Sequence, residues 1–290
     1  MMMPKSDSGR RLLVLGSTGM LGQELTIRAI RLGFQVKGIA RQGADYNLDI
    51  TDDQALFHVL NELNPDIIIN TIAIVDLAFC EENKARAYLV NTRVSGVLVD
   101  YATQRNAYLI QISTDHYYTG DKNRKHNEDD KITLVNEYAR TKFLAEALCS
   151  LHDKSLIIRT NIVGYRSRPG SPTFLEWIVD ALSQKKHMVL FDDYYCSTIS
   201  VAQCSRILFD LINLNASGVI NIGSRDVFSK KDFIEAFAKK KKYVIQDYEI
   251  GSVRQLKGVK RAESLGLDVS RAEAVLGYRM PEFIEVIEVV

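Results

Sequence analysis

The stretch Gly16-Ser17-Thr18-Gly19-Met20-Leu21-Gly22 decides the fold that this sequence predicts. It follows an apolar run, Leu12 to Leu15, that predicts a buried strand, and it precedes residues 24–30, whose apolar residues recur with helical periodicity. A glycine-rich turn in this place presents backbone N–H groups at a helix N-terminus, where partial positive charge favours a diphosphate. The glycines could instead serve only the turn, but their position at the first strand-to-helix connection favours a dinucleotide-binding site.

The rest of the first half alternates between apolar runs and helical patterns, as in an α/β protein. The β-branched run Pro65 to Asn70 is typical of a strand buried in a parallel sheet, and a long helix is predicted at 82–105. We therefore predict a Rossmann-type doubly wound parallel sheet with a smaller mixed α/β substrate-binding region at the C-terminus. The predicted division is a disordered tail at 1–10, an NAD(P)-binding domain at 11–163 that also receives about 199–224, and a smaller substrate-binding domain at 164–198 and 225–290.

The composition argues against several classes of function. Charged residues make up 25% of the 290 residues and the formal net charge is +1, so nothing indicates binding to nucleic acid or to an anionic membrane. The four cysteines form no C-x-x-C pair and have no histidine at metal-ligand spacing, so we predict no metal site and free thiols in a reducing cytoplasm. No apolar run is long enough to span a bilayer, and the first ten residues lack the pattern of a signal peptide.

Tyr138 and Lys142 are four residues apart on a predicted helix, so their side chains share one face. A tyrosine hydroxyl has an ordinary pKa near 10, too high for efficient proton exchange at neutral pH, and an adjacent ammonium lowers it by stabilising the phenolate. Thr114 stands at the tip of a predicted strand, where its hydroxyl can hold a substrate carbonyl while the tyrosine donates a proton. A core tyrosine beside a surface lysine is the alternative, which the glycine turn and the order of elements disfavour.

Arg41 follows the second predicted strand, residues 34–40. In NAD-binding sites an acidic residue near this place accepts hydrogen bonds from the ribose, whereas an arginine suits a 2′-phosphate. A solvent-facing arginine is the alternative. The sequence therefore favours NADPH as the cofactor, with NADH as the second choice.

These segments together resemble the extended short-chain dehydrogenase/reductase family and, within it, the dTDP-4-dehydrorhamnose reductases and related nucleotide-sugar reductases. The resemblance covers the whole chain. The segments that carry it are residues 16–22, 48–52, 65–70, 75–76, 80–81, 90–91, 112–115, 118–120, 128–129, 138–142 and 261–268.

The resemblance implies a catalytic trio of Thr114, Tyr138 and Lys142, with Asn91 supporting the lysine. It implies a nicotinamide cofactor as reductant and a nucleotide-sugar ketone as substrate, and homodimers are common in that family. The predicted cofactor-binding residues are Gly16, Thr18, Gly19, Met20, Leu21, Gly22, Arg41, Asp49, Ile50, Thr71, Ile72, Ala73, Asn91, Ser113, Tyr138 and Lys142.

The second region carries side chains of the types that stack on a base and neutralise a diphosphate. They are Arg166, Arg168, Trp177, Tyr194, Tyr195 and Arg261. The predicted substrate-binding residues are Thr114, Asn161, Trp177, Tyr195 and Arg261.

The chain departs from the rhamnose reductase pattern in the second region, so the sugar stays open. It lacks a tryptophan shortly after Thr160, and Tyr194 and Ala262 stand where the pattern has glutamine and proline. One alternative function is a nucleotide-sugar dehydratase or epimerase, although dehydratases of this kind carry Asp-Glu where this chain has Asp115-His116. Another is a non-catalytic NADP-binding regulatory subunit, resembling the partner of methionine adenosyltransferase.

Overall fold

The computed structural model describes residues 9–166 and 170–290. Of the predicted tail at 1–10, only Gly9 and Arg10 belong to these ranges. The amide of Gly9 donates to the carbonyl of Gly33 at 3.3 Å, and the carbonyl of Arg10 accepts from the amide of Gln35 at 3.0 Å. Backbone hydrogen bonds therefore already hold the chain at residues 9 and 10.

The strands and helices alternate through the first half of the chain, as the sequence predicts. The strands are β1 (Arg11–Leu15), β2 (Gln35–Ala40), β3 (Tyr46–Asn47), β4 (Ile67–Asn70), β5 (Tyr108–Ile112), β6 (Ser155–Thr160), β7 (Ile162–Val163), β8 (Met188–Phe191), β9 (Tyr195–Cys196), β10 (Ile199–Ser200), β11 (Gly218–Ile222), β12 (Phe228–Ser229), β13 (Tyr248–Gly251) and β14 (Ser264–Leu265). The α-helices are α1 (Met20–Arg31), α2 (Asp53–Leu63), α3 (Leu77–Glu82), α4 (Lys84–Tyr88), α5 (Val94–Arg105), α6 (Glu137–Cys149), α7 (Phe174–Ser183), α8 (Val201–Asn213), α9 (Lys230–Lys240), α10 (Ser270–Leu276) and α11 (Phe283–Val289).

Seven strands form the main sheet, in the order β11-β6-β5-β4-β1-β2-β3. The pairs from β3 to β6 are parallel, and Leu13 of β1 lies between Lys37 of β2 and Ile68 of β4. The chain winds outward from β1 in both directions, so a crevice opens where the carboxyl ends of β1 and β4 diverge. The predicted Rossmann-type doubly wound fold is confirmed.

The glycine turn between β1 and α1 is shaped by close backbone contacts. Gly16 has φ +80°, a conformation that favours glycine, and its amide donates to the carbonyl of Ile39 at 2.8 Å. A Cβ at Gly22 would lie 2.1 Å from the carbonyl oxygen of Gly16. The first and third glycines therefore let α1 pack directly on the end of β1.

The helix predicted at 82–105 is confirmed for residues 84–105, but it starts later and is not one regular α-helix. The structure has α3 and α4 separated by Asn83, which adopts a non-helical conformation, and then one π-helical turn, Leu89–Arg93, before α5. The side chain of Asp76 caps α3 by accepting from the amide of Phe79. Local capping and the wider turn break a periodicity that looks continuous in the sequence.

By its contacts the chain divides into two units, made of residues 1–113, 136–159 and 205–220, and of residues 114–135, 160–204 and 221–290. Residues 114–135 thus fall in the second unit, whereas the sequence analysis assigned them to the first. Within the second unit, Tyr118 accepts a backbone hydrogen bond from Ser264 at 3.2 Å, and His126 forms a parallel bridge with Leu267. These long-range pairs place residues 114–135 in the second unit. The sequence analysis missed this, because no local sequence pattern indicates pairs between such distant residues.

Each unit has its own apolar core. In the first unit, the core packs helix residues against the sheet, as Leu98 and Tyr101 do beside Leu13, Ile68 and Leu109. In the second unit, side chains of α7, α9 and α11 pack around the short strands β8, β9 and β12. Cys80, Cys149, Cys196 and Cys204 are buried free thiols.

No helix within the described ranges has both the length and the apolar character needed to cross a bilayer.

Gly22→Ala should destabilise the first unit, because its new Cβ would overlap the backbone of Gly16 and Ser17. We expect the free energy of unfolding to fall by about 1–3 kcal/mol or more, measured by urea denaturation. The matched control is Gly96→Ala in α5, whose Cβ would meet only the side chain of Leu148, at 3.7 Å. That variant should be neutral or slightly stabilising, because alanine is the better helix former. Equal effects of the two variants would contradict the packing role of Gly22.

Candidate active site

The predicted cofactor-binding turn lies at the crevice between β1 and β4. Gly19 is the N-cap of α1 and no side chain caps this helix, so its first backbone N–H groups are available to an anion. Thr71 lies beside the turn: its hydroxyl donates to the carbonyl of Leu15 at 2.7 Å, and a Cβ on Gly16 would lie 2.5 Å from it. Thr18 and Met20 are partly exposed, whereas Leu21 and Gly22 are buried. The bare backbone cradle fits a diphosphate.

Asn91 fixes the loop that leaves β4. It is 1% exposed, and its amide side chain accepts from the backbone N–H of Ile74 at 2.7 Å and donates to the carbonyl of Ile74 at 3.0 Å. It also donates to the hydroxyl of Thr141 at 3.0 Å. Asn91 therefore joins the loop that contains Ile72 and Ala73 to the residue next to Lys142. The π-helical turn positions it there.

Tyr138 and Lys142 lie one turn apart on α6 and are both buried. The side chain of Asn136 caps the helix by accepting from the amide of Ala139 at 2.8 Å. The ammonium of Lys142 donates to the carbonyl of Ile112, the last residue of β5, at 2.6 Å. Burial lowers the pKa of Lys142 to about 8, and the carboxylate of Glu146 opposes this shift. Lys142 is thus a cation at neutral pH, held at the carboxyl edge of the sheet.

A buried ion pair lies one further turn along α6, and the sequence analysis missed it. Glu146 is 3% exposed and Arg159 of β6 is 5% exposed. The two side chains are joined by three hydrogen bonds, the shortest of 2.8 Å. Ser113, a predicted cofactor-binding residue, donates its hydroxyl to Glu146. The four-residue spacing from Lys142 to Glu146 was the available signal, since it places both side chains on one helix face.

The predicted cofactor-binding residues Arg41, Asp49 and Ile50 differ in the contacts that their side chains make. Arg41 is exposed just after β2 and makes no hydrogen bond or ion pair with any residue in the described ranges. Asp49 accepts from the backbone and hydroxyl of Thr51 and from Arg86, which together lower the pKa of its carboxyl to about 2. Ile50 is buried in the core. Arg41 therefore stays available to a phosphate, whereas Asp49 is a fixed anion.

The second unit begins with Thr114, which is 3% exposed and accepts from the amide of His116 at 3.2 Å. Asp115 is buried, and its carboxyl accepts from the side-chain amide of Asn161 at 2.8 Å. The side-chain carbonyl of Asn161 in turn accepts from the hydroxyl of Thr198 at 2.9 Å. Burial raises the pKa of Asp115 to about 7 despite this hydrogen bond. Asn161, a predicted substrate-binding residue, thus uses its side-chain amide to bind Asp115.

The remaining predicted substrate-binding residues differ in the contacts that their side chains make. Trp177 is 39% exposed and stacks on Phe174 at 6.1 Å between ring centroids. Arg261 is exposed and lies beside the phenol of Tyr194, where it opposes the rise in pKa that burial causes. Tyr195 is in β9, paired with β12 and β14. Arg166 donates its backbone amide to Glu176 at 2.6 Å, and Arg168 lies outside the described residues.

The fold, the family and the curated relatives together define the class of the protein. It is an α/β oxidoreductase of the short-chain dehydrogenase/reductase type. A protein-family model described as the RmlD substrate binding domain matches residues 10–290. The chain belongs to this family.

Curated relatives carry reductase names. A probable low-salt glycan biosynthesis reductase of Haloferax volcanii is 25% identical over 287 residues, which cover 92% of this chain and 93% of that protein. A dTDP-4-dehydrorhamnose reductase of Aggregatibacter actinomycetemcomitans is 32% identical over 154 residues, 52% of this chain and 51% of that protein.

A solved structure has the same fold over nearly the whole chain. The dTDP-4-dehydrorhamnose reductase of Bacillus anthracis, crystallised in complex with NADP, superposes with a TM-score of 0.87 and covers 97% of this chain and 98% of its own. Its sequence identity is 21%, so this likeness shows the fold alone.

Glu146→Gln should destabilise the first unit, because it removes the carboxylate charge that is paired with the buried guanidinium of Arg159. Breaking a buried ion pair costs about 3–5 kcal/mol of unfolding free energy, which urea denaturation followed by circular dichroism would measure. The control is Arg93→Ala, which breaks an exposed ion pair with Asp53 and should cost no more than about 1 kcal/mol. A loss as small as that of the control would show that Glu146 and Arg159 do not depend on each other.

Proposed function

We propose that the protein reduces the 4-keto group of a nucleotide-linked 6-deoxysugar, with NADPH as reductant and Tyr138 as general acid. The observation that carries the proposal is the buried pair of Tyr138 and Lys142 on α6, with the ammonium bound to the carbonyl of Ile112 at 2.6 Å. The family and the reductase names of the relatives support it.

The residues of the chain divide the chemistry between them. When bound, NADPH supplies the hydride. Tyr138 donates its proton to the carbonyl oxygen as that oxygen becomes an alkoxide. The role of Thr114 as a hydrogen-bond donor to the substrate stays a prediction of the sequence. Lys142 stabilises the phenolate left on Tyr138, and a pKa of about 8 keeps its ammonium charged at neutral pH. Asn91 and the carbonyl of Ile112 hold the lysine segment in place.

The cofactor fits the residues of the first unit. Side chains at Gly16 and Gly22 would collide with Thr71 and with the backbone of Gly16, so the bare glycines let α1 start at the crevice. There α1 presents uncapped N–H groups to a diphosphate. Arg41 stands at the end of β2, where a 2′-phosphate would be recognised. NADPH is therefore the proposed cofactor and NADH the second choice.

A dehydratase on the same scaffold is less well supported. Elimination of water needs an acid and a base after Thr114, and this chain offers Asp115 followed by His116. Burial and the nearby cations Lys230 and Arg261 lower the pKa of His116 to about 4, so it is neutral at neutral pH.

The other alternative is a regulatory subunit without catalysis, and reduction of an added ketone by the protein would exclude it. The homodimer and the cytoplasmic location stay predictions.

Tyr138→Phe tests the proposed function directly. We expect turnover of NADPH with a nucleotide 4-ketosugar, for instance dTDP-4-dehydrorhamnose, to fall by about 10² or more, because only the transferable proton is removed. The dissociation constant of NADPH, measured by calorimetry, should stay nearly unchanged. Tyr46→Phe is the control, because it also removes a tyrosine hydroxyl, one that donates to Glu62, and it should keep its activity.

Undiminished turnover in Tyr138→Phe would remove the tyrosine from the mechanism. No turnover by the wild-type protein on any nucleotide 4-ketosugar, with NADPH still bound, would favour the regulatory subunit.

Arg41→Ala should reduce the preference for NADPH over NADH. The arginine has no partner in the described ranges, so its loss should leave stability unchanged and raise KM for NADPH by about tenfold, the effect of one charge-assisted contact. The ratio of kcat/KM for the two cofactors measures the effect. Arg31→Ala, at the end of α1, removes another exposed arginine as a control. An unchanged ratio would mean that Arg41 only faces solvent.

A further inference from the structure

Lys142 needs its charge for the proposed reaction, yet its position in the fold works against that charge. The side chain is 2% exposed, and burial lowers the pKa of its ammonium to about 8. The ammonium lies one helical turn from Tyr138 and stabilises the phenolate of that residue only while it is protonated. The group that holds the proton on Lys142 therefore sets the highest pH at which the reaction can run.

Glu146 lies one turn further along α6, on the face that carries Lys142. The two side chains bind neighbouring residues at the end of β5. The ammonium donates to the carbonyl of Ile112 at 2.6 Å, and the carboxylate of Glu146 accepts from the hydroxyl of Ser113. Arg159 of β6 donates to the same carboxylate at 2.8 Å. Donors from β6 and from the end of β5 thus hold the carboxylate on the side of α6 where the ammonium lies.

The groups on the elements around Lys142 leave Glu146 as its counter-charge. Cys149 is on the same helix, but burial raises the pKa of its thiol to about 12, so the thiol is neutral at neutral pH. Arg159 is a cation whose guanidinium is bound to Glu146. Asn91, which joins the π-helical turn to α6, does not ionise. The carboxylate of Glu146 is therefore the charge that opposes the effect of burial on Lys142.

We propose that Glu146 is a positioning residue of the reaction, whose carboxylate, held by Arg159 and Ser113, keeps Lys142 protonated beside Tyr138. The inference rests on the proposed function, because Lys142 acts there as a cation. A buried ion pair is often no more stabilising than apolar side chains of the same volume. The pair of Glu146 and Arg159 thus has a use besides stability, which is to place a fixed negative charge near the lysine.

Glu146→Gln tests the proposal through the pH dependence of kcat, measured with saturating NADPH and a nucleotide 4-ketosugar. Activity needs the ammonium, so it is present below the pKa of Lys142 and is lost as the pH rises through that pKa. Without the carboxylate the pKa falls, and we expect the alkaline limb of the profile to move from about pH 8 to lower pH by about one unit. A shift of that size lowers kcat about fivefold at about pH 8 and hardly at all at about pH 6.

A second variant separates charge from folding, because Glu146→Gln also removes the carboxylate charge that is paired with the Arg159 guanidinium. Glu146→Gln/Arg159→Met removes both buried charges, a kind of replacement that often costs little stability. It should show the same shift of the alkaline limb to lower pH. Glu62→Gln in α2 removes an exposed carboxylate that accepts from Tyr46. It is the control and should keep the wild-type profile.

A double-mutant cycle that combines Lys142→Met with Glu146→Gln/Arg159→Met measures the same coupling without turnover. Urea denaturation at about pH 6 to 10 gives the free energy of unfolding of each chain in the cycle. The coupling should stabilise the folded protein while Lys142 is charged. It should fade as the pH rises through about 8, the pKa of Lys142 in the folded state.

A wild-type alkaline limb in both Glu146 variants would overturn the proposal. An equal loss of kcat at every pH would also overturn it, because a purely structural role predicts that result. A coupling that does not change with pH would count against it in the same way. If the wild-type protein reduces no ketosugar, the proposed function fails. The pH dependence of the coupling then still decides whether Glu146 holds the proton on Lys142.

Discussion

The contact between the backbone of Gly16 and that of Gly22 is the constraint on which the first unit depends. Where a Cβ would lie 2.1 Å from a carbonyl oxygen, only glycine lets the helix α1 start directly at the end of β1. That approach leaves the first N–H groups of α1 uncapped and faces them toward the crevice where the strand order reverses. A packing requirement thus supports a binding property, because the helix that packs this closely on β1 presents its free N–H groups to an anion at the crevice.

A layer of buried polar groups supports the carboxyl edge of the sheet in this unit. Ile112 ends β5, and its carbonyl accepts from both Lys142 and the side chain of Gln111. One turn further on α6, Glu146 balances the charge of Arg159 and lies close enough to Lys142 to oppose the lowering of its pKa. Buried charges are costly unless they are paired and hydrogen-bonded, so this layer fixes the position of α6 closely. The geometry of Tyr138 and Lys142 follows from it.

Charges in the second unit are less closely paired. The carboxyl of Asp115 accepts from the side-chain amide of Asn161, and burial raises its pKa to about 7, so it is only partly ionised at neutral pH. The ammonium of Lys230 lies over the rings of Phe174 and Tyr194 and makes no ion pair with any residue that the structure describes.

The sequence by itself determined the α/β alternation, the glycine turn and the spacing of Tyr138 and Lys142, because each depends on neighbours within one turn or one strand. Only the tertiary structure decided features that join distant residues. The π-helical turn brings Asn91 to Ile74 and Thr141, and residues 114–135 pair with the segment near Leu267. The spacing of Lys231 and Glu235 already indicates their ion pair within one helix, whereas the position of Lys230 over the ring of Phe174 depends on tertiary packing. Which side chains meet across long stretches of chain depends on packing, and local patterns carry no record of it.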